Sequence, residues 1–176
     1  NSAIIISKTV YHDDVRKHGS GNPGTTNMLR TFGWKAAVLT MAGDMLKAVV
    51  AVGLGYLIVG VNAQITDVNG MSYRMVDQFG AAIAGLFVML GHMFPIFFKF
   101  KGGKGVLATA TMAMILAPIP FVILLLLFVG IVWASKYVSL GSVCAATLLP
   151  VLVSGYVKFL GLPTPALMML SLIILA

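Results

Sequence analysis

Long runs of apolar residues constrain the fold of this chain more than any other feature of its sequence. The runs at about 36–61 and 79–98 are each long enough to cross the roughly 30 Å hydrocarbon core of a bilayer as a helix. Only 10% of the 176 residues are charged and 59% are hydrophobic, whereas about a quarter of a soluble domain is charged. In lipid, only helices or closed barrels satisfy the backbone. The runs lack the alternation of barrel strands, so we predict an all-α integral membrane protein.

We predict a single transmembrane domain over residues 1–176, with seven membrane helices that begin outside and end inside. Residues 1–7 resemble the tail of a helix, and both ends of the sequence look cut, so that most of a first helix and a C-terminal tail are missing. Pro118 and Pro120 interrupt the apolar run at 106–134. Because proline ends or kinks a helix, we expect a tight hairpin of short, broken helices there. One span to about residue 157 and a last helix from about 164 complete the bundle.

The positions of the charges predict the topology. The net charge of +7 would suggest a nucleic-acid partner in a soluble protein, but most basic residues fall in short loops, as in the cytoplasmic loops of membrane proteins. We therefore place three basic segments on the cytoplasmic side of the membrane and expect no nucleic acid partner. The connection at 62–78, with Asp67 and Asp77, is placed outside. The basic residues of the inside segments are Lys8, Arg16, Lys17, Arg30, Lys35, Lys99, Lys101, Lys104 and Lys136.

The first inside segment is rich in glycine and in small polar residues, and Arg30 follows it. A helix that begins near Gly24 would direct its free N–H groups and partial positive charge at an anion. The spacing of Gly19 and Gly24 approaches that of a P-loop, but Thr25 occupies the position of the phosphate-binding lysine, which argues against ATP hydrolysis. An ordinary flexible loop is the alternative to phosphate binding. The candidate residues are Gly19, Ser20, Gly21, Asn22, Gly24, Thr26, Asn27 and Arg30.

The second inside segment places two lysines among three glycines at the start of the short helix. Backbone N–H groups, a helix N-terminus and ammonium groups together favour a phosphate site. A basic turn that binds anionic lipid headgroups is the alternative, but it does not account for the glycines. The candidate residues are Lys101, Gly102, Gly103, Lys104 and Gly105.

Three ionisable residues lie within the apolar spans. His92 stands at the inner end of the second span, and an ionisable residue at membrane depth is a functional candidate. Asp44 and Lys47 are three positions apart and face each other across one helical turn. They form either a supporting ion pair that neutralises itself or part of a site.

The third inside segment contains two serines. Ser139 and Ser142 flank Gly141 at the start of the next helix, where serine is also common as a cap. No cluster of Cys and His suggests a metal, and we expect no metal and no cofactor.

Taken in order, these motifs resemble the acyl-phosphate:glycerol-3-phosphate acyltransferase family (PlsY) over essentially the whole chain. The matching elements are SGNPGTTN at 20–27, DMLK at 44–47, GHMFP at 91–95, KGGKG at 101–105 and SLGS at 139–142. Thr25, Ala48 and Leu107 depart from the family pattern. The resemblance implies a seven-helix enzyme of the bacterial inner membrane that makes lysophosphatidic acid. It also implies that the acyl donor is acyl phosphate, with no acyl-CoA or acyl-carrier-protein donor.

For such a reaction we assign roles to the candidate residues. The loop at 20–27 would hold acyl phosphate, while Arg30, Lys104 and Ser142 would hold glycerol-3-phosphate. His92 is a candidate proton acceptor by residue type, whereas the resemblance favours the leaving phosphate as the acceptor. We therefore take His92, Ser20, Lys104 and Ser142 as catalytic candidates and expect membrane lipid, but no obligate protein, as a further partner.

Two other functions remain compatible with the sequence. A transporter of a phosphorylated metabolite would also need basic, glycine-rich turns and broken helices, but it requires a second gate on the outer side. A non-catalytic scaffold that binds anionic lipid would use the lysines but not the glycines.

Overall fold

The computed structural model describes residues 1–63 and 73–159, which form helices joined by short turns and contain no strand. Two 3-10 turns, Val15–Lys17 and Ile96–Phe98, lie in the connections. The helices are α1 (Ser2–Thr9), α2 (Thr25–Phe32), α3 (Trp34–Ala63), α4 (Tyr73–Met93), α5 (Val106–Leu116), α6 (Pro118–Ser135) and α7 (Val138–Phe159).

Within residues 1–63 and 73–159, four segments are long and apolar enough to cross a membrane. They are Trp34–Val59, Gly80–Phe98, Pro118–Ser135 and Val138–Tyr156. The 30 residues of α3 make it about 45 Å long, so it extends beyond the hydrocarbon core. In contrast, α5 has only 11 residues, or about 17 Å. The predicted all-α membrane architecture is therefore confirmed.

Local chemistry sets the helix boundaries. Gly33 has a φ of +86°, a conformation that favours glycine, and it separates α2 from α3. Pro95 follows the end of α4 and is the N-cap of the Ile96–Phe98 turn. Pro118 occupies the first position of α6, where the missing N–H of proline costs nothing. The predicted break between the two arms of the hairpin is thus confirmed, at Ala117.

Small residues bring the two central helices close together. A Cβ atom built on Gly55 would lie 2.5 Å from the carbonyl oxygen of Gly80 and 2.9 Å from Cα of Ala81. Small residues permit such close backbone approach between membrane helices. The main core surrounds this crossing and continues through the later helices, with buried Val52, Ala81, Ala82, Met112, Ala113, Ala117, Leu124, Leu149 and Val153.

A second, smaller core organises the basic end of the bundle. Ala3, Val15, Met28 and Ala36 are fully buried against one another, and the rings of Tyr11 and Phe32 stack with their centroids 4.7 Å apart. The polar segment at 8–30, which includes most of α2, is therefore folded around its own apolar residues and is held against α1 and the start of α3.

The structure differs from the predicted boundaries in several places. The span at 79–98 begins earlier, at Tyr73, and its helix ends at Met93 because Pro95 follows. Only residues 136 and 137 separate α6 from α7, so the connection is shorter than predicted, while Ser139 and Ser142 lie at the start of a helix as expected. With 18 residues, α6 reaches about 27 Å, longer than the short arm we predicted.

Six of the seven described helices correspond to predicted membrane helices. The eight-residue α2 was not counted among them, and the predicted last helix falls in 160–176, outside the described residues. Most of the connection at 62–78 lies outside them too.

The helix crossing predicts how two neighbouring glycines differ. Gly55→Ala would push the α3 and α4 backbones apart and should lower the free energy of unfolding by about 1–3 kcal/mol, the usual cost of overpacking. Thermal unfolding in detergent measures the change. Gly53→Ala is the matched control, because a Cβ atom there meets nothing within 4 Å. Equal effects of the two substitutions would contradict the close crossing.

Candidate functional site

A buried polar network lies where the basic end of the bundle meets the spans. Lys47 Nζ donates to Asp44 Oδ1 at 2.6 Å and lies 2.7 Å from His92 Nδ1. Asp44 is 1% exposed and His92 5% exposed. The backbone N–H of Ser2 donates to the same Asp44 oxygen at 3.4 Å. The network therefore joins α1, α3 and α4, and the predicted Asp44–Lys47 pair extends to a third partner.

Both ring nitrogens of His92 lie close to polar partners. Lys47 Nζ lies 2.7 Å from Nδ1, whereas Asp44 Oδ1 lies 3.5 Å from the same nitrogen, at the limit of a hydrogen bond. On the other side of the ring, Asn1 Nδ2 lies 3.3 Å from Nε2. Each ring nitrogen therefore already has a partner within the protein.

His92 also places the second glycine-rich turn. The N–H groups of Gly102 and Gly103 donate to the carbonyl oxygens of Met93 and His92 at 3.0 and 3.2 Å. A Cβ atom on Gly103 would overlap His92 Nε2 and would lie 2.9 Å from the carbonyl oxygen of Pro23. Glycine is required here by close approach, and this contact brings the second segment against the first.

The amide of Asn27 shapes the first glycine-rich segment from within. Asn27 Nδ2 donates to the carbonyl oxygens of Val15 and His18 at 3.1 and 3.0 Å, and Oδ1 accepts from the N–H of Ser20 at 3.1 Å. The side chain is 2% exposed. We predicted that Asn27 would contact phosphate directly. The structure instead turns its amide inward, because the loop backbone needs these partners.

Gly19 packs directly against this amide. Its φ is +55°, and a Cβ atom there would overlap Asn27 Oδ1 and lie 3.4 Å from Cδ of Arg30. The side chain of Arg30 therefore lies next to the loop. Ser20, Gly21 and Thr26 are exposed, whereas Asn22 and Gly24 are partly covered.

Arg16, which the sequence did not single out, joins the first two segments. Its guanidinium binds Asp14 through two hydrogen bonds of 2.9 and 2.6 Å. Its remaining Nη donates to the carbonyl oxygens of Phe98 and Lys101 at 3.1 and 3.3 Å. The only signal in the sequence is an acidic residue two positions before this arginine, in a segment that is otherwise basic.

The Arg16–Asp14 pair stays ionised over the neutral pH range. The hydrogen bonds from Arg16 hold the pKa of the Asp14 carboxyl well below its usual range, and the same contact raises the pKa of Arg16. In addition, the hydrogen bond from the Asp14 backbone and then that from His18 lower the pKa of Asp13.

The structure describes the side chains of three acidic residues, and all three are engaged. Asp13 pairs with His18, Asp14 with Lys8 and Arg16, and Asp44 with Lys47. Arg30, Lys101 and Lys104 are exposed and form no ion pair with any of these three carboxylates. Three cations around the two joined segments thus remain available for an external anion.

The start of α2 adds donors to this cationic region. Gly24 caps the helix without a side-chain hydrogen bond, so its first N–H groups are orphan donors. The hydroxyl oxygen of Thr25 is buried and has no hydrogen-bond partner in the described ranges. Gly105, with a φ of +72°, caps α5 in the second segment.

The third predicted segment stands apart from the other two. Ser142 Oγ donates to the Ser139 carbonyl oxygen at 2.9 Å, within α7. Within 1–63 and 73–159, the hydrogen bonds that join the first two segments do not reach this helix. Gly141 packs tightly against α6, where its Cβ atom would lie 2.9 Å from Phe128 and Val132. In the same ranges, no group of three His, Cys, Asp or Glu side chains is placed to hold a metal ion.

Comparison with known proteins gives a consistent result. The sequence profile of the family described as Glycerol-3-phosphate acyltransferase matches residues 1–176. A glycerol-3-phosphate acyltransferase of Alkaliphilus metalliredigens is 38% identical over 156 residues, which are 89% of this chain and 71% of that protein. One of Mycoplasmopsis agalactiae is 40% identical over 146 residues, covering 83% of this chain and 58% of that protein.

The fold is similar to solved structures as well. Crystal structures of PlsY, an integral membrane glycerol 3-phosphate acyltransferase, match with a TM-score of 0.68 and 28% identity. The match covers 98% of this chain and 80% of the PlsY chain in the glycerol 3-phosphate form. In the lysophosphatidic acid form it covers 76% of the PlsY chain.

The contacts of Arg16 predict that it holds the second segment in place. Arg16→Ala should raise amide hydrogen exchange over residues 98–103, with a local loss of about 1–3 kcal/mol because hydrogen bonds from a charged group are lost. Hydrogen exchange with mass spectrometry in detergent measures this. The effect should be the same between about pH 6 and 8, because the pair stays ionised.

Lys17→Ala provides the matched control for this experiment. It removes the same charge at the next position, which is exposed. Unchanged exchange at 98–103 in Arg16→Ala, or the same increase in Lys17→Ala, would contradict the role of Arg16.

Proposed function

The chain belongs to the glycerol-3-phosphate acyltransferase family, and from this premise we propose that it transfers an acyl group from acyl phosphate to glycerol-3-phosphate. The reaction gives lysophosphatidic acid and phosphate on the cytoplasmic face of a bacterial inner membrane. The cluster of exposed cations without acidic partners, Arg30, Lys101 and Lys104, carries this proposal, because both substrates are phosphate anions.

The chemistry that we propose is a direct transfer. The primary hydroxyl of glycerol-3-phosphate attacks the acyl carbonyl carbon and forms the new ester C–O bond. The bond from this carbon to the phosphate oxygen breaks, and phosphate leaves with the bonding electron pair. An acyl phosphate is already activated, so the enzyme needs chiefly to position the substrates and stabilise charge.

Each segment has a role in this proposal. The 20–27 loop and the start of α2 hold the acyl phosphate, with backbone N–H groups that favour an anion. Arg30 and Lys104 hold the phosphate of glycerol-3-phosphate. Ser142 is assigned to the same phosphate, and this contact requires its hydroxyl to exchange the bond to Ser139 within α7 for one to the substrate. The acyl chain lies along the apolar surface between the helices.

We assign the proton of the attacking hydroxyl to the leaving phosphate and not to His92. Lys47 Nζ lies 2.7 Å from His92 Nδ1 and Asn1 Nδ2 lies 3.3 Å from Nε2, so both ring nitrogens already have partners. His92 therefore acts as a positioning residue that supports the turn at Gly102 and Gly103, while the phosphate supplies a basic oxygen at the reacting centre.

A comparison of acyl donors tests the proposed activity. The purified full-length protein is incubated with labelled glycerol-3-phosphate and either palmitoyl phosphate or palmitoyl-CoA. We expect labelled lysophosphatidic acid from palmitoyl phosphate alone. Product from palmitoyl-CoA would overturn the donor assignment, and no product from either donor in a folded sample would overturn the enzyme assignment.

Matched variants then test the site within the same assay. Lys104→Gln and Ser142→Ala should lower kcat/KM by about 10–1000-fold, the range expected for loss of a group that stabilises transition-state charge. Lys158→Gln and Ser154→Ala remove the same groups elsewhere in α7 and should change kcat/KM by less than about twofold.

The role of His92 is tested by two substitutions at one position. His92→Gln keeps an acceptor for Lys47 and should retain kcat within about tenfold, whereas loss of a general base typically costs about 10²–10⁴-fold. His92→Ala removes the acceptor and should lower thermal stability more than His92→Gln. A loss of more than about 100-fold in a stable His92→Gln protein would show that histidine is the base.

Transport of a phosphorylated metabolite is the rival function. The unpaired cations belong to segments at one end of the described bundle, whereas a transporter requires a second gate at the other end. Uptake of labelled glycerol-3-phosphate by proteoliposomes, without acyl product, would favour that rival.

A further inference from the structure

An apolar projection follows the end of α4, and we call it the aromatic finger (residues 94–100). Its sequence, FPIFFKF, contains five large apolar residues among seven. Phe97 is 94% exposed and Ile96 is 73% exposed, while Phe94 and Phe100 are more than half exposed. A contiguous apolar patch of this kind marks an interaction surface, and the catalytic proposal makes no use of it.

The finger is held in shape by its own backbone. The N–H groups of Phe98 and Phe100 both donate to the carbonyl oxygen of Pro95, at 3.0 and 3.1 Å. Lys99 and Phe100 adopt the left-handed conformation, each with a φ of +58°. Such a conformation is rare outside glycine, so the surrounding contacts must support it.

Two cations brace the finger from the side of the first loop. Arg16 donates to the carbonyl oxygen of Phe98 at 3.1 Å, and Lys8 Nζ lies 5.7 Å from the centre of the Phe98 ring. Phe98 is thereby turned toward the protein, while Ile96 and Phe97 point away from it. The exposed side chains form a supported surface rather than a loose loop.

The finger continues the lipid-facing side of α4. Phe87, Leu90 and Phe94 are exposed at spacings of three and four, which places them on one face of a helix. That face belongs to the membrane-spanning segment Gly80–Phe98. The apolar surface therefore runs without interruption from the hydrocarbon region into the finger, which favours lipid over a second protein as the occupant.

The charges next to the finger indicate which lipid it meets. Lys99, Lys101 and Lys104 are exposed, and none pairs with Asp13, Asp14 or Asp44, the acidic side chains that the structure describes. Lysines beside a buried apolar surface extend their ammonium groups toward headgroups. A basic rim around an apolar centre is complementary to a leaflet that contains anionic phospholipid.

We propose that the aromatic finger inserts into the leaflet on the basic side of the membrane, where Lys99 binds anionic phospholipid headgroups. Insertion holds the adjoining turn at Gly102 and Gly103 at the level of the headgroups. The phosphate of an amphipathic substrate lies at this depth, while its acyl chain stays in the bilayer. The insertion itself is independent of the proposed reaction.

A single tryptophan measures the depth of the finger. Phe97→Trp is made together with Trp34→Phe and Trp133→Phe, which remove both native tryptophans. The protein is reconstituted into phosphatidylcholine vesicles with and without phosphatidylglycerol. We expect blue-shifted emission and strong quenching by lipids brominated in the acyl chain, with weak quenching by aqueous iodide. Ile96→Trp is a second reporter if the first variant does not fold.

Lys17→Trp in the same background is the aqueous control, because this side chain is exposed in the polar first segment. It should be quenched by iodide and not by the brominated lipids. If Phe97→Trp behaves like this control, the finger lies in water and the proposal is wrong. Protection of the indole from both quenchers would mean that protein covers the finger, and this would also overturn the proposal.

A charge substitution tests the preference for anionic lipid. One lysine near an anionic surface shifts the equilibrium by about fivefold. Lys99→Gln should therefore reduce the increase in lipid quenching that phosphatidylglycerol causes, whereas Lys158→Gln should leave the increase unchanged. An unchanged increase in Lys99→Gln would disprove the role of Lys99.

Discussion

The structure depends on the buried contact between Lys47, Asp44 and His92. In a region without water, a charge is tolerated only when it is paired and hydrogen-bonded. Asp44 and Lys47 neutralise each other within α3, and the remaining donor of Lys47 binds His92 on α4. This cross-link fixes the end of α4 relative to α3. The N–H groups of the second glycine-rich turn donate to the carbonyl groups of His92 and Met93. The position of this turn therefore depends on the same contact between Lys47 and His92.

Different hydrogen bonds stabilise the first glycine-rich segment internally and join it to the second. Within the first, the buried amide of Asn27 supplies the hydrogen bonds that the loop backbone would otherwise take from water. Between the two, Arg16 bridges from Asp14 to the backbone at Phe98 and Lys101. The acidic side chains that the structure describes, those of Asp13, Asp14 and Asp44, all form internal ion pairs. Arg30, Lys101 and Lys104 pair with none of the acidic side chains that the structure describes, and this excess of positive charge is the basis of the proposed anion site.

The proposed location of the site at the end of the bundle suits amphipathic substrates. An acyl phosphate has a chain that belongs in lipid and a headgroup that belongs in water. The described helices expose apolar side chains along their length, and the unpaired cations lie beyond their ends. The aromatic finger joins these two surfaces, since its apolar residues continue from α4 and its lysines lead to the glycine-rich turn.

The sequence by itself determined the all-α membrane architecture, the break at Pro118 and the glycine-rich segments with their cations. These features follow from hydropathy and local backbone chemistry, which depend on residues close in sequence and need no tertiary contact. Tertiary structure alone decided the inward orientation of Asn27, the bridging role of Arg16 and the contacts of both His92 ring nitrogens with Lys47 and Asn1. Each of these depends on a partner brought close by packing, in the case of Arg16 and Lys101 across 85 positions. Short sequence patterns do not identify partners that lie so far apart in the chain.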